Sequence, residues 1–167
     1  MSRAFVKDDS EDPGEPVKRQ PSGKPNYVTP AGLEALKARA AELAWLRASL
    51  VSKQRPDEAR GIELRQAESD LEYYETQIKR AILIDNRGLA GQDIRFGATV
   101  SVREPDGTVR EYKLVGEDEA DAGAGKLNWG SPLAGALLGA GPGSKVVLSR
   151  RTGDIQLEII SVSYPKD

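Results

Sequence analysis

The sequence predicts an α+β protein in which an antiparallel helical hairpin precedes a small antiparallel β domain with one short helix. Two patterns predict this order. Between residues 29 and 84, apolar residues recur at spacings of three and four, as they do on one face of a helix. Between residues 96 and 164, apolar and polar residues alternate in short runs separated by glycine-containing turns, which is typical of half-buried strands.

Residues 1–28 are predicted to form a disordered tail. The segment carries five basic residues, five acidic residues and prolines at positions 13, 16, 21 and 25, and it has few apolar side chains. Such a segment buries too little apolar surface to offset the entropy cost of ordering it. The alternative is a short docking arm that uses Phe5 and Val6, or Tyr27 and Val28.

Residues 29–84 are predicted to form an antiparallel coiled-coil hairpin. Thr29 is a good N-cap, and Pro30 suits the first helical position, where a backbone N–H has no partner within the helix. Pro56 lies in the predicted reversal at residues 53–61, where it ends the first helix or opens the second. Each arm has roughly 22–26 residues, or about 33–39 Å of helix. The apolar seams are Leu33, Leu36, Ala40, Leu43, Leu46 and Leu50, then Leu64, Ala67, Leu71, Tyr74, Ile78 and Ala81.

Residues 85–94 are predicted to be a glycine-containing linker, and residues 95–167 the C-terminal domain. The domain has about four or five antiparallel strands and one short helix, for which an α+β domain with a small curved sheet is the natural packing. The Asp106-Gly107 pair is a turn signal between the first two strands. The predicted strands are 96–102, 110–116, 144–150 and 154–164, and the predicted helix is 132–140.

The composition excludes several classes of function. A net charge of −2 is not the signature of a protein that binds nucleic acid through a strong basic field. Cysteine and histidine are absent, which excludes disulfides, thiol nucleophiles, Cys- or His-ligated metals and Ser-His-Asp catalysis. With no long apolar run and no signal-peptide core, we expect a cytoplasmic protein that does not enter a membrane. We also expect a monomer with no cofactor of its own.

Several motifs resemble the GreA/GreB family of bacterial transcription elongation factors. The entry to the first helix, YVTPAGLEAL, is similar, and the likeness covers about residues 27–164. The C-terminal motifs are Phe96-Gly97-Ala98, Val115-Gly116 leading to Glu119-Ala120-Asp121, and Ser131-Pro132-Leu133-Ala134. The resemblance implies an FKBP-like C-terminal domain that docks on RNA polymerase near its secondary channel, and a coiled coil that enters the channel. It also implies an auxiliary factor, not an enzyme, that lends carboxylates to a Mg²⁺ ion shared with the polymerase and meets nucleic acid only through the elongation complex.

The predicted hairpin tip offers Asp57 and Glu58 as the candidate catalytic and Mg²⁺-binding residues, since Mg²⁺ prefers oxygen ligands. The other interpretation is that both are N-terminal acids of the second helix, which interact with its dipole. The family's acidic tip motif is missing here: its local match, Glu72-Tyr73, lies well down the second helix. The hairpin also looks about eight residues per arm shorter than those of the family's cleavage factors, or roughly 12 Å of reach.

The resemblance also points to polymerase-binding residues in the C-terminal domain. The acidic loop at 117–121 either faces the polymerase or is a solvated turn, and Trp129 either anchors an interface or fills the small core. Ser131 is an ordinary N-cap for a helix that Pro132 opens, and an exposed helix start is also a suitable docking edge. Trp45 is expected to pack at the hairpin base. The polymerase-binding candidates are Glu117, Asp118, Glu119, Asp121, Trp129, Ser131, Pro132 and Leu133.

Three functions stay open at this point. The first is an elongation factor that stimulates transcript cleavage in backtracked complexes through Asp57 and Glu58. The second is a non-catalytic regulator that occludes the secondary channel or competes with cleavage factors, because its hairpin is short and lacks the acidic tip motif. The third is a coiled-coil adaptor unrelated to polymerase.

Overall fold

The computed structural model describes residues 14–53, 57–91 and 93–166. A helical hairpin is followed by a sheet domain, which confirms the predicted α+β class and order. The helices are α1 (Pro30–Ser52), α2 (Glu58–Arg80) and α3 (Pro132–Leu137). The strands are β1 (Asn26–Val28), β2 (Ala81–Leu83), β3 (Thr99–Arg103), β4 (Val109–Val115), β5 (Lys126–Asn128), β6 (Lys145–Leu148) and β7 (Ile155–Ser163).

Helices α1 and α2 pack against each other along a seam with heptad spacing. Helix α1 begins as the sequence predicts: the Thr29 hydroxyl accepts a hydrogen bond from the Gly32 N–H at 2.9 Å, and Pro30 follows the cap. From Leu36 onward, every seventh residue of α1 is buried, which is the repeat of a coiled-coil seam. The buried residues are Gly32, Leu36, Leu43 and Leu50 on α1, and Ala67 and Gln77 on α2.

Trp45 lies on the outer face of α1, so the expectation that it packs at the hairpin base is wrong. Its side chain is 73% exposed, whereas Leu43 is buried in the seam. Two steps along a helix turn the side-chain direction by about 200°. Trp45 therefore points away from α2 when Leu43 points toward it.

A short parallel strand pair closes the base of the hairpin. Strand β1 pairs with β2, so residues 26–28 are ordered and the prediction of a disordered tail up to residue 28 is wrong for them. The second helix ends at Arg80 rather than at residue 84, because the chain leaves the helix to form β2. The pairs are Asn26 with Ala81, Tyr27 with Ile82 and Val28 with Leu83.

The N-terminal segment before β1 lies along α2. Hydrogen bonds join residues 14–24 to α2 at Arg65, Gln66, Tyr74 and Arg80. Residues 1–13, which include the alternative docking pair Phe5 and Val6, lie outside the described residues.

The C-terminal sheet has the strand order β5-β4-β3-β7-β6. Both predicted hairpins are present as antiparallel pairs, β3 with β4 and β6 with β7, and β3 also pairs antiparallel with β7. Strand β5 departs from the prediction, because it joins the edge of β4 in parallel. Helix α3 covers one face of the sheet, where Ala134 and Leu137 are fully buried. The other buried members of this core are Ile94, Ala98, Val100, Val102, Leu114 and Ile159.

Candidate functional site

The hairpin tip holds Asp57 and Glu58 in different roles. Asp57 is the N-cap of α2, and its Oδ1 accepts a hydrogen bond from the Arg60 N–H at 2.7 Å. The guanidinium of Arg60 donates to the Lys53 carbonyl oxygen at 3.1 Å, so basic side chains share this end of the hairpin. Glu58 follows in the first turn and is exposed. Residues 54–56, including Pro56, lie outside the described residues.

The described residues do not bring three or more acidic side chains together in a group that could hold a metal ion. Asp57 and Glu58 form at most a pair, and adjacent helical residues point about 100° apart. One Asp57 oxygen is already engaged by the start of α2. These two residues are therefore too few to hold a metal ion by themselves, and only an ion that other ligands already hold could use them.

The acidic loop after β4 faces the hairpin base and forms a hydrogen-bonded cluster that we call the acidic junction (Thr29, Tyr73, Gln77, Glu117, Asp118 and Glu119). The Gln77 Nε2 donates to Glu117 Oε1 at 2.6 Å and to Asp118 Oδ2 at 2.8 Å. The Tyr73 hydroxyl donates to Asp118 Oδ1 at 2.5 Å, and the Thr29 hydroxyl donates to Glu119 Oε1. Three of the four acids in this loop are thus joined to the helices, which fixes the loop against the hairpin.

Gln77 lies at the centre of the acidic junction, because its buried side chain is hydrogen-bonded on both its nitrogen and its oxygen. Its side chain is fully buried, and its Oε1 accepts a hydrogen bond from Arg80 Nη1 at 2.9 Å. A buried amide whose donors and acceptor are all paired fixes the geometry around it. Burial and the hydrogen bond to Asp118 raise the pKa of Tyr73 above its ordinary value, so the tyrosine stays protonated and able to donate.

The backbone at the end of β4 passes very close to β1. A Cβ atom at Gly116 would lie 2.3 Å from the Tyr27 carbonyl oxygen, so only glycine fits without a shift of backbone. The Tyr27 ring packs edge-on against Trp129 with centroids 4.9 Å apart, and it lies 6.2 Å from the Phe96 ring. Trp129 therefore packs at the contact between β1 and the sheet domain.

The start of α3 and the edge strand β5 border an open cleft of about 730 Å³. Asp121, Ser131 and Leu133 all line it. Ser131 caps α3 by accepting from the Ala134 N–H at 3.3 Å, and Pro132 is exposed. Asp121 is exposed and accepts from the Gly123 N–H at 3.1 Å. The predicted polymerase-binding residues therefore divide into the inward-facing carboxylates 117–119 and these outer residues.

Sequence reasoning missed the roles of Tyr73 and Gln77 in the acidic junction. Both lie on α2 four residues apart, so they share a helix face. The available signal was weak, because this tyrosine and glutamine lie beside the apolar seam, each one residue before a seam residue (Tyr74 and Ile78). Their partners are about 40 residues away in sequence, and local patterns carry no information about contacts at that separation.

The fold and its junction define a two-part protein, in which a helical hairpin is fastened to a sheet domain by an acidic loop. The family described as "Transcription elongation factor, GreA/GreB, C-term" matches residues 89–164. Transcription elongation factor GreB of Neisseria meningitidis serogroup B is 31% identical over 162 residues, which cover 84% of this chain and 95% of that protein. The chain therefore belongs to the GreA/GreB family.

Further relatives and solved structures are similar to this chain over different lengths. Transcription elongation factor GreA of Solidesulfovibrio magneticus is 37% identical over 98 residues, covering 58% of this chain and 60% of that protein. Among solved structures, the GreA factor homolog Gfh1 of Thermus thermophilus is 22% identical, with coverage of 84% and 99% and a TM-score of 0.39. A GreA/GreB factor of Nitrosomonas europaea is 18% identical, with coverage of 83% and 99% and a TM-score of 0.41.

No helix within the described parts of the chain is long and apolar enough to cross a membrane.

Proposed function

We propose that this protein binds bacterial RNA polymerase and acts during transcription elongation by inserting its helical hairpin into the secondary channel. The sheet domain docks outside, and the chain contributes no enzyme activity and no cofactor of its own. In this proposal the hairpin occupies the channel and competes with cleavage factors. Nucleic acid is met only through the elongation complex.

We choose occlusion over cleavage because Asp57 is the N-cap of α2. Its Oδ1 is held by the Arg60 N–H at 2.7 Å, and the Arg60 side chain lies at the same end of the hairpin. A Mg²⁺ ligand must come within about 2 Å of the ion, so a carboxylate that is fixed to its own helix has little freedom to reach one. Each arm is 23 residues long, or roughly 34 Å at 1.5 Å per residue.

Stimulation of transcript cleavage is the second candidate function. It is favoured by the exposure of both Asp57 and Glu58 at the end of the hairpin that would lie deepest in the channel. In that case the two carboxylates would help to hold a Mg²⁺ ion in the polymerase active site. The chemistry would remain that of the polymerase.

A backtracked elongation complex with a 3′-labelled transcript distinguishes the two functions. We expect the protein to release no short 3′ fragments and to inhibit an authentic cleavage factor of the family added to the same tube. The double variant Asp57→Asn, Glu58→Gln removes both charges and keeps the cap, because asparagine is as good an N-cap as aspartate. It should inhibit as strongly as the wild type. Fragment release that this variant loses would instead establish a cleavage factor.

Docking of the sheet domain is tested separately at the start of α3. Pro132→Glu places a carboxylate on the exposed first turn, where the helix dipole tolerates it, so the fold should be kept. We expect its affinity for core polymerase to fall by about tenfold, since a charge would enter a desolvated contact. The control is Arg150→Glu, an exposed charge reversal in the turn after β6. Equal polymerase affinities for the two variants would show that α3 is not part of the docking surface.

A further inference from the structure

The segment before β1 is bound to α2 as an extended peptide. We call residues 14–25 the strap, and the side of α2 that it covers (Gln66, Ser69, Tyr73, Tyr74 and Thr76) the α2 flank. Prolines at positions 16, 21 and 25 favour an extended, preformed backbone. The strap therefore loses little conformational entropy when it binds.

Gln66 binds the backbone of the strap at a single residue. Its Oε1 accepts from the Val17 N–H at 2.8 Å, and its Nε2 donates to the Val17 carbonyl oxygen at 3.0 Å. One side-chain amide thus pairs with both polar groups of one extended residue. The Val17 side chain is 71% exposed, so this contact selects an extended backbone rather than a particular side chain.

Arg19 supplies the selectivity for a side chain. Its guanidinium carbon lies 5.8 Å from the Tyr73 ring centroid and 5.9 Å from that of Tyr74, and its Nη1 donates to the Tyr74 hydroxyl at 2.9 Å. The two rings are nearly perpendicular, with centroids 5.3 Å apart, and so form two walls of an arginine site. Both distances are within the roughly 6 Å range of cation–π contacts, which arginine makes more often than lysine.

The basic residues of the strap complement the negative charge of α2 around this arginine site. Residues 66–78 of α2 contain four acids and no basic residue, and Lys18 and Arg19 of the strap line the same cleft as one of these acids, Glu72. The hydrogen bonds that hold the strap at Gln66 and Tyr74 are all exposed to solvent. Contacts of this kind are individually weak and open readily, so the strap can detach while the core stays folded.

We infer that the α2 flank is a recognition surface for an extended, arginine-containing protein segment, and that the strap is its intramolecular occupant. A partner segment of the same chemistry binds only by displacing the strap. This inference does not depend on which function the hairpin performs on the polymerase.

Hydrogen exchange of the full-length protein tests whether the strap is bound in solution. The Val17 amide should exchange about tenfold more slowly than in an unstructured peptide, as expected for a few exposed contacts. Gln66→Leu should abolish this protection. Glu63→Ala, an exposed change on the same helix, should leave it intact. A Val17 amide that is unprotected in the wild type would overturn the inference.

A peptide added in trans tests recognition itself. The probe is a capped, fluorescent peptide with the sequence of residues 14–22, and the receptor is the full-length Arg19→Glu variant, whose own strap should leave the acidic flank. The peptide should bind this variant with a Kd about tenfold below the effective concentration of the tethered strap, which is millimolar for a short link, and so at about 0.1–1 mM. A peptide with lysine in place of its arginine should bind less tightly.

The two measurements must also agree in size. Because the strap and the peptide compete for one site, the wild type should bind the peptide more weakly than Arg19→Glu by the same factor that protects Val17. If Val17 is protected but the variant binds no peptide at millimolar concentration, the strap is a structural element only and the inference fails.

Discussion

The acidic junction makes Gln77→Leu the most informative single substitution for stability. Leucine has nearly the volume of glutamine, so packing is kept while the hydrogen bonds of the amide are lost. In two of these bonds, at 2.6 and 2.8 Å, the Gln77 Nε2 donates to the carboxylates of Glu117 and Asp118, and in a third its Oε1 accepts from Arg80. Hydrogen bonds to charged groups contribute about 1.5–3 kcal/mol each. Because Glu117 and Asp118 can turn to water, we expect a combined loss of roughly 2–4 kcal/mol in the free energy of unfolding.

Urea denaturation followed by Trp129 fluorescence measures this loss, since Trp129 packs on Tyr27 beside the junction. Trp45→Phe in all variants removes the second tryptophan signal. In thermal denaturation, the same loss of stability should lower the melting temperature by roughly 5–10 °C for a chain of this size. The matched control is Gln66→Leu, the same change on the same helix, where the amide's hydrogen bonds among the described residues go to the strap and Asp70. It should cost about 1.4 kcal/mol, which is the tenfold protection of Val17 expressed as a free energy. A loss below about 1 kcal/mol for Gln77→Leu, or equal losses for both variants, would refute the central role of Gln77.

Two further predictions concern the same contact between hairpin and sheet domain. Gly116→Ala should destabilise the protein by about 1–3 kcal/mol in urea titrations, because the new methyl group would meet the Tyr27 carbonyl at 2.3 Å. Gly135→Ala, in α3 with open space around it, should instead stabilise by about 0.5–1 kcal/mol, and the opposite order would contradict the geometry. Tyr73→Phe should lower the urea midpoint at neutral pH by removing the bond to Asp118. Folding raises the Tyr73 pKa, so the stability that the protonated hydroxyl contributes is present below its unfolded pKa of 10.0 and is lost as the pH rises above that value. The difference in urea midpoint between the wild type and Tyr73→Phe should therefore become smaller above pH 10.0.

Local signals in the sequence predicted much of the fold correctly. Thr29 and Pro30 mark the start of α1, and the Asp106-Gly107 turn lies between β3 and β4, because capping and turn formation depend on residues within a few positions. The heptad seam predicted the pairing of α1 with α2 for the same reason. Strand β2 was not predictable, because its partner β1 lies more than 50 residues away.

The candidate site was predictable only in part. The sequence identified the acidic loop and the start of α3, but it could not say which way Glu117, Asp118 and Glu119 point. A carboxylate on a loop is equally compatible with solvent, a partner or a buried donor, and only the position of Gln77 and Tyr73 decides among these. Asp57 is the N-cap of α2, because its Oδ1 accepts from the Arg60 N–H at 2.7 Å, while its binding to a shared Mg²⁺ ion stays a prediction.

The acidic junction limits which residues of the loop can bind a partner. A partner that bound Glu117 or Asp118 through the oxygen that Gln77 contacts would have to break that bond, at a cost of about 1.5–3 kcal/mol. Asp121 and Pro132 carry no such cost, since neither is joined to the helices of the hairpin. Docking through the outer residues also leaves the junction free to hold the hairpin in one direction relative to the sheet domain. We therefore propose that, when the protein docks on polymerase, the inward carboxylates are positioning residues and the contacts are made by the cleft beside β5 and the start of α3.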